Sequence, residues 1–185
     1  MSDLYDLIKI ILDLYILFVM KQYYLPSRCI GPSYGSVTWY IALNIPKLNV
    51  TAIVRRLGTT PSGEMVTPDN VYDAGWYQGS SRPGQPGAMV LDGHISSWTT
   101  HGIFYGLNTL RPGDAIHITR GDGSIVTYLV SKSITYNADQ VDMAAVFAPV
   151  AKNRPGLNLV SCTGDVVAGT NEFDKRIVIF ATLAS

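Results

Sequence analysis

From Val37 onward the chain is interrupted every few residues by glycine, proline or a short polar cluster, and this leaves room only for short extended elements. Residues 37–43 read as a strand stopped at Pro46, and 50–55 as a second, followed by the turn GTTPSG at 58–63. Residues 74–77 form a brief third strand before the loop SSRPGQPG at 80–87. Residues 88–94 make a fourth, with His94 at its end, and 104–110 predict a short helical turn ahead of RPGD. In 114–120, Ile116 and Ile118 alternate with His117 and Thr119; the GDG turn at 121–123 joins this strand to 124–135 as a hairpin. One helical turn is expected within 137–148, and strands at 157–162 and 176–183 complete a count of eight. That number and spacing predict a mainly β fold, a barrel or a sandwich with short helical insertions.

The first 36 residues have a different texture. Residues 1–24 are rich in Leu, Ile, Val, Phe and Tyr and hold no Gly or Pro, so 4–24 read as an N-terminal α-helix capped by Ser2 or Asp3. Asp6, Lys9 and Asp13 share one narrow stripe of it. The longest charge-free run, 14–20, is far short of the ~20 apolar residues that span a bilayer. Asp13 adds a penalty on the order of 3 kcal/mol to insertion. The helix is therefore expected to pack on protein, its own domain or a second copy, or to lie at a membrane surface. Residues 25–36, with Pro26, Gly31, Pro32 and Gly35, read as a linker to the β-rich domain at 37–185.

The formal net charge of the 185 residues is zero, and no basic run tracks a phosphate backbone, which argues against nucleic acid. There is no zinc-spaced Cys/His cluster, no P-loop and no dinucleotide fingerprint, so no metal and no cofactor are expected. Asp139 and Asp142 sit singly in one loop and do not make a calcium site. Two cysteines, Cys29 and Cys162, do not form a disulfide framework.

Chemistry concentrates in LNLVSCTG at 157–164, where an apolar strand is expected to stop at Cys162 before a glycine-containing loop. A lone thiol there is more often inert packing than a nucleophile. Two distant residues change the balance: His94 in LDGHIS and Arg176 opening the apolar strand in FDKRIVIF. A guanidinium beside such a run needs an anion or carbonyls, which an oxyanion intermediate would supply; a plain ion pair to Asp174 or Glu172 is the alternative. His94 and Arg176 beside the sulfur would favour thiolate. His101 in the loop WTTHG and His117 on the hairpin are expected at the surface.

The series IPKLNVTAIV, GWYQGSSRPGQPGAMVLDGHI, GIFYGLNTLRPGDAIHITRGDGS, LNLVSCTG and FDKRIVIFATL resembles the sortases in order and spacing over about 45–183. The glycine- and proline-rich run into GH is most similar to class F, with class E the near alternative. The resemblance implies an eight-stranded sortase-like β-barrel and a cysteine transpeptidase at the bacterial cell surface, on the outer face of the cytoplasmic membrane. It implies cleavage of LPXTG-like C-terminal sorting signals and transfer to an amine of the cell wall or a pilin. It assigns catalysis to His94, Cys162 and Arg176. Where the family reads T-L-x-T-C, this chain has Asn158, Leu159, Val160, Ser161 and Cys162. Ser161 keeps the hydroxyl; Asn158 puts substrate preference in question, and with Thr163 and His101 these two are candidate substrate contacts. The acidic start, Asp3 and Asp6, also departs from the family's basic, apolar anchor. A hydrolytic cysteine peptidase and a non-catalytic peptide-binding barrel are the other readings.

Overall fold

The computed structural model describes residues 41–60, 65–97 and 99–185. The expected N-terminal helix, the linker with Cys29, the first residues of the strand at 37–43 and part of the GTTPSG turn lie outside the described residues. Eight strands are seen: β1 Ile41–Ile45, β2 Val50–Leu57, β3 Ala74–Tyr77, β4 Ala88–Asp92, β5 Ala115–Thr119, β6 Ile125–Asn137, β7 Gly156–Val166 and β8 Phe173–Leu183. They close into one barrel in the order β1-β2-β3-β4-β7-β8-β6-β5. Closure leaves no exposed sheet edge, the usual liability of an all-β chain. Three short helical turns interrupt the strands: 3-10 turns at Pro46–Leu48 and Leu107–Thr109, and α1 at Met143–Val146.

Period-two alternation sorts the side chains. Leu43 and Ile45, Met89 and Leu91, Ile116 and Ile118, Leu157 and Leu159, and Ile177 and Ile179 all point into the barrel, where Phe104, Leu107 and Leu110 close one end. The alternate residues of β4, β7 and β8 face outward. Three of them, Val90, Val178 and Phe180, form a second apolar cluster with Val146 of α1, flanked by Tyr136, Val141, Ala145 and Val160. The 138–155 connection thus lies over the outer face of these strands. Asp142 starts its helical turn as N-cap, accepting from the Ala145 amide at 3.0 Å.

Two strands run beyond expectation and the fourth stops two residues short of the expected 94, and all three differences matter for the site. β7 does not stop at Cys162 but runs on to Val166, and β8 begins at Phe173, so Arg176 lies inside its strand. The antiparallel partner accounts for the extension: Thr163 pairs with Lys175 and Val166 with Phe173, across an irregularity between them. Gly164 sits in that irregularity at φ +85, where an added Cβ would strike Asp174. The glycine therefore makes a bulge within the strand instead of ending it. β4, by contrast, ends at Asp92, and His94 stands just beyond it.

Candidate active site

The strand register brings the three distant residues into one line. β4 and β7 run parallel with Leu91 opposite Leu159 and Asp92 opposite Val160; continued by two residues, that register sets His94 beside Cys162. β7 and β8 run antiparallel with Cys162 directly opposite Arg176. The order across the sheet is then His94, Cys162, Arg176, with Tyr136 of β6 beyond Arg176. By parity Cys162 and Arg176 share the outward face of Val160, Val178 and Phe180, so the row stands at the end of the outer apolar cluster.

His94 is held by its backbone and its ring. The Phe104 amide donates to the His94 carbonyl at 3.0 Å, and the Gly102 amide donates to that of Ile95 at 2.9 Å. Gly102 passes so close that a Cβ there would meet the His94 carbonyl oxygen at 2.2 Å. Gly93 lies on the Phe104 ring, 2.8 Å from where its own Cβ would be, which explains a glycine directly before the histidine. The ring nitrogen Nε2 is 2.8 Å from the Pro68 carbonyl. A carbonyl only accepts, so Nε2 carries a proton and Nδ1 is the ring's remaining site for proton exchange.

Ser161 joins the two parallel strands past the end of their ladder. It is 1 % exposed, and its hydroxyl donates to the Gly93 carbonyl at 2.7 Å. The residue before the cysteine is thereby tied to the residue before the histidine. Asn158 is fully buried; its amide donates to the carbonyls of Val146 at 2.7 Å and Ala148 at 3.0 Å. Both side chains are buried and bonded to protein carbonyls instead of facing solvent. Ser161 fixes the catalytic row, and the Asn158 amide N–H groups staple the helical turn and its exit onto β7, while its Oδ1 is buried without a partner. Thr163 and Ile177 line a cavity of about 330 Å³ with Ile95 and the turn around Leu107. His101 is exposed and stacked on Tyr105, with centroids 3.5 Å apart, and stands outside the row. A larger cavity, about 640 Å³, is lined by Arg56, Trp76, Arg82 and Arg120 and contains none of these residues.

Arg176 makes no ion pair with Asp174 or Glu172 among the described residues. Its Nη1 donates to the carbonyls of Phe173 at 2.8 Å and Lys175 at 3.0 Å. The rest of the guanidinium has no hydrogen-bond partner among the described residues. Burial pushes the Cys162 thiol above its ordinary range; the Arg176 charge opposes this, and the charges of Asp92 and Glu172 add to it. Of the two neighbours, Arg176 pulls toward thiolate, but desolvation outweighs this one nearby cation, and the thiol is the favoured resting form.

Asp92 was not singled out by sequence reasoning. It ends β4 two residues before His94, and its carboxyl is pushed up to about 6, chiefly by burial, with the Gly93 amide, His94 and Arg176 pulling the other way. One of its oxygens, Oδ2, is buried without a hydrogen-bond partner. The signal in the sequence was the parity of LDGHIS, in which residues two apart share a strand face.

A thiol, an imidazole and a guanidinium aligned at the end of a closed eight-stranded barrel define a cysteine enzyme of the acyl-transfer type. Residues 43–184 match the sortase domain, and the chain belongs to the sortase family of cysteine transpeptidases. Solved sortases share its fold. Sortase A from Corynebacterium diphtheriae, a lid mutant, is 20% identical with a TM-score of 0.60, over 86% of this chain and 74% of that one. Sortase C-1 from Actinomyces oris is 22% identical with a TM-score of 0.58, over 78% and 73%. A Clostridium perfringens sortase D5 transpeptidase is 17% identical with a TM-score of 0.57, over 80% and 79%. No curated protein matches the chain in sequence.

Proposed function

We propose that this sortase cleaves an LPXTG-like C-terminal sorting signal through a thioester on Cys162 and passes the acyl group to an amine of the cell wall or of a pilin. The alignment of His94, Cys162 and Arg176 across three strands is the observation that carries the reading. Because Cys162 rests as the thiol, its proton moves to Nδ1 of His94 as Sγ attacks the scissile carbonyl. The oxyanion that forms meets the unpaired N–H groups of Arg176, a permanent donor in a partly buried setting. His94 returns the proton to the departing amine as the C–N bond breaks, leaving the thioester. An incoming amine then attacks the thioester carbonyl, His94 takes its proton, and Sγ departs to be reprotonated. The partly buried apolar side chains of Tyr136, Val141, Ala145 and Val160, packed on the outer face that Cys162 shares, suit the apolar residues of such a peptide. The run into DGH supports class F, and this chemistry belongs at the bacterial cell surface, the outer face of the cytoplasmic membrane.

The test is an LPXTG-type peptide library with and without an amine acceptor, read by mass spectrometry for an acyl adduct on Cys162 and for the transfer product. Cys162→Ala should abolish both, while His94→Ala and Arg176→Ala should each slow turnover by at least ~10²-fold. These losses should be far from additive, since the three groups act as a unit. Wild-type rates in either of the last two variants would remove the role assignment. Release of peptide without transfer would make the enzyme a hydrolase.

A further inference from the structure

The same register that aligns the catalytic row sets a second row directly beneath it: Gly75 of β3, Asp92 of β4, Val160 of β7 and Val178 of β8. Asp92 is the one ionisable group in this row of four. It shares the parity of Val90 and Val160, so it projects on the face that carries Cys162 and Arg176. Gly75 gives it no side-chain neighbour on the β3 side, and Oδ2 is buried with no hydrogen bond. A buried carboxylate oxygen without a partner is costly and needs an explanation.

The charged and titratable groups around Asp92 come from every element packed against it. His94 follows it on its own segment, and the Arg176 charge reaches it from β8. Cys162 lies on β7, and Glu172, in the turn before β8, acts on the same sulfur. Tyr136 stands behind Arg176 on β6. Arg55 of β2, opposite Gly75, is engaged elsewhere, its Nε donating to Asp73 at 2.6 Å. The permanent cation that Asp92 faces is thus Arg176, and His94 becomes a second one only when it takes the thiol proton.

We propose that Asp92 is a positioning residue of this site, a half-buried counter-charge beneath the row that holds Arg176 in place, steadies the His94 ring once it has taken the thiol proton, and keeps Cys162 as the thiol until substrate arrives. The inference rests on the reading of Cys162 as nucleophile. Its logic is electrostatic: an anion favours cations beside it and disfavours a second anion. Its ionisation near pH 6 would make the counter-charge responsive to acid.

The experiment is Asp92→Asn, which keeps the shape and removes the charge, with iodoacetamide alkylation of Cys162 followed from pH 5 to 10. The thiol titration should move down by about half to one unit, so that alkylation at pH 8 is about three- to tenfold faster than in the wild type. Peptide turnover should nonetheless fall by about tenfold, mainly in kcat, because the cations lose their counter-charge. An alkylation profile superimposable on the wild type would overturn the proposal, even if turnover or melting temperature fell, since a purely structural role moves those alone. A second measurement avoids dependence on that variant: the ¹³Cγ shift of Asp92 is titrated in the wild type and in Arg176→Ala. The midpoint should rise when the guanidinium is removed, and an unchanged midpoint would equally overturn the proposal. Neither readout needs a sorting signal, so a wild type that cleaves no such peptide while both shifts appear would refute the proposed function and leave Asp92's role standing.

Discussion

Asp92→Asn should stabilise the fold at neutral pH, with a pH dependence of fixed sign. In the folded chain the carboxyl is raised from 3.8 to about 6. The difference, about 6 minus 3.8, is roughly 2.2 units, and at 1.36 kcal/mol per unit it corresponds to about 3 kcal/mol. Because the folded-state value lies above the unfolded one, the folded chain holds the proton more tightly. The corresponding stability is fully present below pH 3.8 and is lost as pH rises through about 6. Asparagine never ionises, so the stability of the variant minus that of the wild type should grow from its acid limit to a plateau above pH 7. The rise should be at most about 3 kcal/mol, an upper bound because water reaching part of the side chain would soften it. Asp114 and Asp122, both held below the usual carboxylate range by hydrogen bonds, give the opposite slope at low pH. They are common to both proteins and cancel in the difference. Urea unfolding of both proteins at intervals from pH 4 to 8 measures it, with the slope m expected to stay constant. A difference that is flat across that range, to within about 0.5 kcal/mol, would refute the argument, because only an ionisable group destabilised by burial produces the rise. A more stable, less active variant would also fit the general pattern of a site that keeps a costly charge for function.

Two further substitutions test the buried polar groups. Ser161→Ala leaves the Gly93 carbonyl without its donor and should cost about 1–3 kcal/mol in urea unfolding, with a fall in kcat; Ser161→Thr, which restores the family's residue and keeps the hydroxyl, should recover most of both. Asn158→Ala frees two carbonyls at the end of α1 and should lower stability by a similar amount, make 138–155 more susceptible to limited proteolysis, and raise KM for peptide more than it lowers kcat. Unchanged protease sensitivity would show that the staple does not hold that connection.

Much of the barrel was legible because strand identity depends on local pattern. The alternation in AIHIT, the GDG turn and the proline after Ile45 each act within a few residues, and the structure has a strand, a tight turn and a strand end at those places. Strand length was less legible, because it depends on a partner distant in sequence. Nothing within SCTGDV announces that Phe173–Lys175 will pair with it and carry β7 through a left-handed glycine. The surroundings of Asn158 were hidden for a related reason. It lies four positions before Cys162, on a part of the outward face that α1 covers. The state of the thiol was not legible, because a sequence shows which charges are near and does not show how much water has been removed.

The chemistry sits where the two kinds of strand pairing part company. On one side of β7 the parallel ladder to β4 ends at Asp92 and Val160. On the other side the antiparallel ladder to β8 continues through Cys162 to Val166. Cys162 and Arg176 are therefore fixed by a rigid ladder, and His94 is released from it into the solvent-facing loop. Ladder bonds there are replaced by three local ones: Ser161 to Gly93, Phe104 to His94 and the His94 ring to Pro68. A nucleophile and an oxyanion donor gain from immobility, since a small misplacement is expensive in rate. An acid–base group must exchange protons with two different amines in turn, which favours a position outside the ladder. The end of β4 supplies that difference between neighbours in a single cross-sheet row.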